Sequence, residues 1–159
     1  MKYIKKHIQD IGHTIFIARF DMKKIFKRTP LYGWYARDHY RGGHEIVNLA
    51  DGMRLAVLVK YGGSYYDTDM ISLSPIPDWF LRGTLGYQDH ELNNAAMSFP
   101  RKAPFLKHAM LEFIRDFRSG NWGHQGPFLM SRVYQRLNAS YHGKPWLMNV
   151  YLTTLPIKT

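Results

Sequence analysis

Two carboxylates one residue apart are the feature of this chain best suited to chemistry. Asp67 and Asp69 close the run Lys60-Tyr-Gly-Gly-Ser-Tyr-Tyr-Asp-Thr-Asp69. Such a run predicts a buried strand that carries the acids at its carboxyl end, where α/β sheets place their ligand crevice. Hard cations such as Mg²⁺ or Mn²⁺ take one or two carboxylates while substrate phosphates complete the shell. The run therefore indicates either a site for a metal-bound diphosphate or a Gly-Gly turn followed by a solvated acidic loop.

A long helix is predicted directly before this strand, over residues 44–60. No proline interrupts the segment, and apolar residues recur at helical spacing: Ile46, Leu49, Ala50, Met53, Ala56 and Val57. Asp51 and Arg54 share one side of the helix with Leu55 and Leu58, so the helix is apolar nearly all round. Burying either charge without a partner would cost about 3–5 kcal/mol. The two charges therefore form a structural ion pair or line a pocket.

Shorter patterns predict the neighbouring elements. We expect a strand over residues 14–20, a short helix over 21–27 and a strand over 64–66. Two further apolar stripes at helical spacing predict core-facing helices, and they comprise Phe105, Ala109, Leu111, Phe113, Ile114 and Phe117, and then Phe128, Leu129, Val133 and Leu137. Pro127 would occupy the first turn of the second helix.

These segments together resemble a known family. The runs Leu49-Ala-Asp-Gly-Met-Arg54 and 60–69 resemble the sugar-nucleotide-binding region of DXD-containing glycosyltransferases. The later runs Leu92-Asn-Asn-Ala95 and Trp122-Gly-His-Gln-Gly-Pro127 resemble, in the same order and spacing, segments of the α-1,4-glycosyltransferases. An upstream run, Thr29-Pro-Leu-Tyr-Gly-Trp-Tyr35, is also similar, so the resemblance covers residues 14–137.

The resemblance implies a fold and an activity. The implied fold class is α/β, an incomplete GT-A-type nucleotide-diphospho-sugar transferase fold with a Rossmann-like mixed sheet and flanking helices, as one partial domain over residues 1–159. The implied reaction moves a hexose, galactose or N-acetylglucosamine, from a UDP-sugar to a glycolipid or glycan acceptor. Transfer would retain the anomeric configuration and form an α-1,4 linkage, with Mn²⁺ or Mg²⁺ as cofactor.

The resemblance also assigns residues to roles. Asp67 and Asp69 match the metal and diphosphate motif, and the donor sugar would contact Asp51, Arg54 and Asp67. Polar positions of the α-1,4 group, which would face the donor or the acceptor, are matched by Asn93, His124 and Gln125. No second carboxylate pair can be placed by spacing as a nucleophile, so no catalytic residue is assigned.

The chain departs from the family at one position and in length. Asn94 stands where the α-1,4 group has glycine, which puts a side chain where backbone approach is otherwise unobstructed. An earlier strand–helix unit and a later His-x-Trp segment of the family are not matched. We therefore expect the 159 residues to be part of a longer transferase domain.

Composition limits the partners. A content of 45% hydrophobic and 15% aromatic residues suits one buried core. The net charge is +10, but the cations are scattered, so nucleic acid is not expected as a partner; basic charge suits UDP and an anionic membrane surface. The chain has no cysteine and no apolar run of the roughly 20 residues that span a membrane. Residence in the Golgi lumen or membrane follows from the resemblance alone.

Two other functions fit parts of the sequence. Phosphoryl-transfer enzymes of the haloacid-dehalogenase type carry Asp-x-Asp at a strand end with the first acid as nucleophile, but they favour Thr or Val where Ile71 stands. A non-catalytic, transferase-like domain that binds a UDP-sugar without turnover is the other alternative.

Overall fold

The computed structural model describes residues 20–72, 75–88, 91–140 and 155–156. Among the described residues two short helices and one long helix precede the first strand, and two further helices lie between the third strand and the fourth. In chain order the elements are α1 (Met22–Phe26), α2 (Tyr32–Ala36), α3 (Glu45–Tyr61), β1 (Gly63–Tyr66), a 3₁₀ helix (Asp78–Arg82), β2 (Thr84–Gln88), β3 (Glu91–Phe99), α4 (Pro104–Arg115), α5 (Pro127–Ser140) and β4 (Leu155–Pro156).

The strands form a mixed sheet in the order β1-β3-β2-β4. The pairs β1–β3 and β2–β3 are antiparallel, and β2–β4 is parallel. Strand β3 is the longest and lies between β1 and β2, with Tyr66 opposite Ala96 in the β1–β3 register. Because β3 continues past the end of β1, its early residues 93–95 lie beside the turn that carries Asp67.

The local elements agree with the sequence where the structure describes them. Helix α3 begins one residue later than predicted and ends one residue later, and β1 begins one residue earlier. Helix α1 lies inside the predicted range. It begins after Asp21 because the Asp21 side chain caps it, accepting from the Lys24 backbone N at 3.0 Å. The strand expected over residues 14–20 lies outside the described residues except for Phe20, which is not in a strand.

The expectation that β1 is a buried strand was wrong. Only Tyr65 of its four residues is partly buried, and the others are exposed. Within the described sheet β1 is an edge strand that pairs with β3 alone, and the pairing is antiparallel. Asp67 and Asp69 therefore follow an exposed edge strand, and not a central strand of a parallel sheet.

A single apolar cluster joins the helices to the sheet. Its aromatic centre is Trp34, which packs edge-on against Phe26, Phe113 and Phe117 at centroid distances of 5.9, 4.9 and 5.3 Å. Both predicted stripes contribute buried residues to this core, although Leu111, Ile114 and Phe128 are exposed. A Cβ at Gly52 would lie 3.1 Å from the Trp34 ring, so α3 packs closely on Trp34 at the residue after Asp51.

Gly62 connects α3 to β1, and replacing it should destabilise the fold. Its φ is +70°, and an added Cβ would lie 2.7 Å from the backbone N of Arg101. We expect Gly62→Ala to lower the free energy of unfolding by about 2 kcal/mol or more, because left-handed strain adds to a backbone clash. Urea denaturation measures the change.

The matched control is Gly33→Ala, because nothing lies within 4 Å of the added Cβ and Gly33 is within α2. This variant should be neutral, or gain up to about 1 kcal/mol from helix propensity. Equal unfolding midpoints for the two variants would contradict the role assigned to Gly62.

Candidate functional site

A cavity of about 440 Å³ brings together four of the charged residues singled out in the sequence. Asp51 and Arg54 reach it from α3, and Asp67 and Asp69 from the turn after β1. Asn93 and Asn94 line it from β3. Three segments that are separate in the sequence thus present both charged and amide groups to one space.

Arg54 joins these three segments. Its Nη1 donates to the backbone O of Asn94 at 3.0 Å and lies 3.4 Å from both carboxylate oxygens of Asp67. Its Nη2 lies 3.4 Å from Oδ1 of Asp51, one helical turn earlier. Only 9% of the Arg54 side chain is exposed. A guanidinium that is nearly buried thus has an acidic partner on each side, as burial of a charge requires.

Asp51 is the most enclosed acid of the site. Asn94 Nδ2 donates to its Oδ1 at 2.8 Å, and the backbone of Gly126 approaches so closely that a Cβ there would lie 3.2 Å from both carboxylate oxygens. Burial raises the pKa of Asp51, while Arg54 and the Asn94 hydrogen bond oppose that rise. Arg54 and Asn94 therefore stabilise the ionised form of the Asp51 carboxylate.

Asp67 is held in a fixed orientation. The Tyr65 hydroxyl donates to its Oδ1 at 2.6 Å, and its backbone N donates to Ala95 O at 2.8 Å. Burial and the hydrogen bond to Asp67 raise the pKa of Tyr65 to about 12, so this phenol remains a donor. The Tyr65 ring also lies against Arg54, with the guanidinium carbon 4.9 Å from the ring centroid.

Asp69 has different surroundings from Asp67. It follows in a turn closed by a hydrogen bond from Met70 N to Asp67 O at 3.1 Å, and it is exposed at the cavity. Within the described residues no group of three or more His, Cys, Asp and Glu could hold a metal ion. A divalent cation here would therefore use Asp69 and Asp67 and complete its shell with ligand oxygens, which suits a diphosphate.

Asn93 lies where the sequence places it, at the cavity. Its Oδ1 accepts from the backbone N of Ala95 at 2.7 Å, and its Nδ2 donates to Gln88 Oε1 at 2.8 Å. Gln88 and Asn94 are cavity residues that sequence reasoning did not assign to the site. No motif or spacing in the sequence singles out Gln88. Asn94 was singled out only by comparison with the expected family pattern.

The side chains of His124 and Gln125 do not reach the cavity. His124 Nε2 lies 3.0 Å from both the backbone O and Oδ2 of Asp116, and Gln125 Nε2 donates to the backbone O of Phe113 and of Asp116. Both side chains therefore attach their loop to the C-terminal end of α4. This placement does not support a direct contact of either side chain with a sugar.

The loop itself does reach the cavity. Residues 119–127, called here the 119–127 loop, contribute Trp122, Gly123 and Pro127 to its lining. The predicted segment thus lines the cavity through residues other than His124 and Gln125, and the sugar contacts of these two side chains stay predictions.

Two family models match the chain. Residues 2–86 match the glycosyltransferase sugar-binding region containing the DXD motif, and residues 98–147 match the α-1,4-glycosyltransferase conserved region. The first match spans α3, β1 and both aspartates of the motif, and the second spans the 119–127 loop.

Curated relatives carry related names. Lactosylceramide 4-α-galactosyltransferase of Mus musculus is 37% identical over 125 residues, which is 77% of this chain and 34% of the relative. α-1,4-N-acetylglucosaminyltransferase of Homo sapiens is 36% identical over 122 residues, 76% of this chain and 35% of the relative. The chain thus spans about a third of the length of these relatives.

A solved structure shares the fold. The PaToxG glycosyltransferase aligns with a TM-score of 0.57 and 18% identity, covering 94% of this chain and 60% of that one. The likeness confirms the expected fold class, an α/β GT-A-type fold. Among the described residues no helix is both long and apolar enough to cross a membrane.

Asn94→Ala should raise the pKa of Asp51 further, because it removes a hydrogen bond that favours the ionised carboxylate. A carboxyl ¹³C NMR titration measures the shift. The variant should also lose about 1–3 kcal/mol of stability at neutral pH. An elevated folded-state pKa costs stability as pH rises through it, so the difference from the parent protein should be larger at about pH 8 than at about pH 4.

Asn93→Ala is the matched control, because Asn93 bonds to Ala95 and Gln88 instead of Asp51. It should leave the Asp51 titration unchanged. Identical titrations in Asn94→Ala and in the parent protein would show that Asn94 does not act on Asp51.

Proposed function

Because the chain belongs to the DXD-containing α-1,4-glycosyltransferase family, we propose that it transfers a hexose, galactose or N-acetylglucosamine, from a UDP-sugar. The acceptor is a glycolipid or glycan, and transfer proceeds with retention to form an α-1,4 linkage. The observation that carries the proposal is the convergence of Asp51, Arg54, Asp67 and Asp69 on one cavity. The names of the relatives support the two sugars and the linkage.

The acidic turn after β1 would hold the diphosphate of the donor through Mn²⁺ or Mg²⁺. Asp69 is exposed at the cavity, and Asp67 is oriented beside it by Tyr65 and Arg54. This donor set fits a hard cation that receives its remaining ligands from phosphate. When bound, the cation would stabilise the charge that develops on the departing UDP.

Arg54 and Asp51 would position the sugar instead of reacting with it. The guanidinium presents a planar fork of donors, and the carboxylate presents acceptors, which together suit neighbouring hydroxyl groups of a hexose. Their mutual contacts and the Asn94 carbonyl fix both groups before a ligand arrives. Fixed polar groups lower the entropic cost of holding the anomeric carbon in a reactive orientation.

The proposal includes partners and a location, which the likeness to the family supports. A glycolipid acceptor places the enzyme at a membrane surface, and the Golgi lumen or membrane is the compartment we propose. The net charge of +10 would favour approach to an anionic surface. Nucleic acid is not a proposed partner.

Phosphoryl transfer through an aspartyl nucleophile is not supported by the surroundings of Asp67. Its carboxylate accepts from Tyr65 and pairs with Arg54, and it follows an antiparallel edge strand. Both contacts hold the carboxylate in one orientation, as a binding site requires. The titrations below measure binding of the donor, which a chain without transfer activity would share.

Asp69→Asn should abolish metal-dependent binding of UDP-galactose while the protein stays folded, because it removes a ligand charge from an exposed position. Calorimetric titration with and without Mn²⁺, in salt that screens non-specific phosphate binding, measures the loss. Asp78→Asn is the control, since Asp78 is exposed and does not line the cavity. Full metal-dependent affinity in Asp69→Asn would contradict the proposed metal site.

Arg54→Lys should weaken UDP-galactose more than UDP, because lysine keeps the charge and loses the planar fork assigned to the sugar. Titration of both ligands measures the difference. Arg115→Lys is a control with the same spacing, because Arg115 pairs with Glu112 three residues earlier and lies outside the cavity lining. Equal losses of affinity for UDP and UDP-galactose in Arg54→Lys would mean that Asp51 and Arg54 form a structural ion pair and do not contact the sugar.

A further inference from the structure

The cavity differs chemically along the length of α3. Its charged lining residues within the described part of the chain are Asp51, Arg54, Asp67 and Asp69. Val47, one turn before Asp51, lines it as well, together with Trp122 and Pro127 of the 119–127 loop. From Val47 to Arg54 the helix rises about 10 Å. Along α3 the lining therefore changes from an uncharged end at Val47 to a charged end at Asp51 and Arg54.

The 119–127 loop carries Trp122 and is attached to α3 at residues 48–51, before Arg54. Asn48 Nδ2 donates to the backbone O of Ser119 at 3.3 Å, which sets the start of the loop beside the first turn of α3. The close approach of Gly126 to Asp51 sets its other end one turn further along. Trp122 lies between these two attachment points in the chain and lines the cavity.

The indole of Trp122 is exposed although its loop is firmly attached. The residue is 67% exposed, while His124 and Gln125 bind the C-terminal end of α4. Arg132 Nη2 also donates to the backbone O of His124 at 3.1 Å. Covering an exposed aromatic side chain is favourable because it removes apolar surface from water. Trp122 thus presents a large exposed ring from a loop that is attached to the core, and the ring lines a polar cavity. These are the properties of a side chain on which a ligand can stack.

We propose that Trp122 is the platform for the acceptor, and that a hexose ring of the acceptor saccharide stacks its apolar C–H face on the indole. This inference rests on the proposed glycosyl transfer and assigns the acceptor subsite of the same cavity. A neutral sugar suits the uncharged end, whereas a diphosphate needs the acidic turn and its cation. The distance along α3 leaves room for the donor hexose beside Asp51 and Arg54 and the acceptor hexose beyond it.

His124 and Gln125 act on the acceptor through this loop. Their side chains attach it to α4, so they are positioning residues for Trp122. This role explains why the polar side chains of His124 and Gln125 bond to α4 although their loop lines the cavity.

The test uses the whole 159-residue chain, with methyl β-lactoside as the acceptor probe and UDP-galactose with Mn²⁺ as the donor probe. The chain has four tryptophans, and the indole N–H signal absent from Trp122→Phe identifies Trp122 in the NMR spectrum. That signal should shift on addition of the lactoside. Trp122→Ala should weaken the lactoside about tenfold or more while UDP-galactose affinity stays unchanged, and Trp122→Phe should retain most of the affinity.

Trp79→Ala is the matched control, since Trp79 is also partly exposed but does not line the cavity. It should leave both affinities unchanged. Equal weakening of UDP and lactoside in Trp122→Ala would mean that the indole stacks on the uracil base or supports the fold, which overturns the proposal. Unchanged lactoside affinity in Trp122→Ala would overturn it as well.

The parent protein separates this inference from the proposed function. Binding of UDP-galactose without any binding of the lactoside would overturn the acceptor platform and leave the donor site in place. Binding of the lactoside at Trp122 without any binding of UDP-galactose would overturn the proposed function and leave the platform. Binding of neither probe by the folded chain would overturn both.

Discussion

The nearly buried guanidinium of Arg54 is the group on which the rest of the site depends. It pairs with Asp51 on its own helix, with Asp67 beyond β1 and with the Asn94 carbonyl on β3. Each of these three segments carries a polar group into the cavity. If Arg54 moved, the buried Asp51 and the partly buried Asp67 would lose their cationic partner, and the Asn94 carbonyl would lose a donor. Breaking such a pair costs about 3–5 kcal/mol, so the relative placement of helix, turn and strand is set by electrostatics as well as by apolar packing.

The two acids of the motif are chemically unequal because of this arrangement. Asp67 is oriented by Arg54 and Tyr65, whereas Asp69 is exposed two residues later in a turn. The first carboxylate is thus organised before a ligand arrives, and the second is accessible to one. An arrangement of this kind combines a low entropic cost of binding with access for a cation and its phosphate ligands.

Asn94 and Gly126 enclose the Asp51 carboxylate from two sides. The Asn94 side chain fills the space beside Asp51 and donates to it, while the chain at Gly126 carries no side chain and approaches the same carboxylate. An added Cβ at Gly126 would meet both groups at 3.2 Å. The side chain on β3 and the backbone of the 119–127 loop therefore both lie against Asp51.

The local elements and the chemical types of the site residues could be predicted from the sequence. Helical spacing fixed α3 within one residue, and the resemblance identified the segments of Asp51, Asp67 and Trp122 that the structure brings to one cavity. Two features could not be predicted locally: β1 is an exposed edge strand, and Asn94 bonds to Asp51. A third is that His124 and Gln125 bond to the end of α4 while Trp122 lines the cavity. The physical reason is that periodicity reports which residues share a face of an element. Which neighbour that face meets, and which way a turn directs each side chain, is set by contacts between residues distant in the chain.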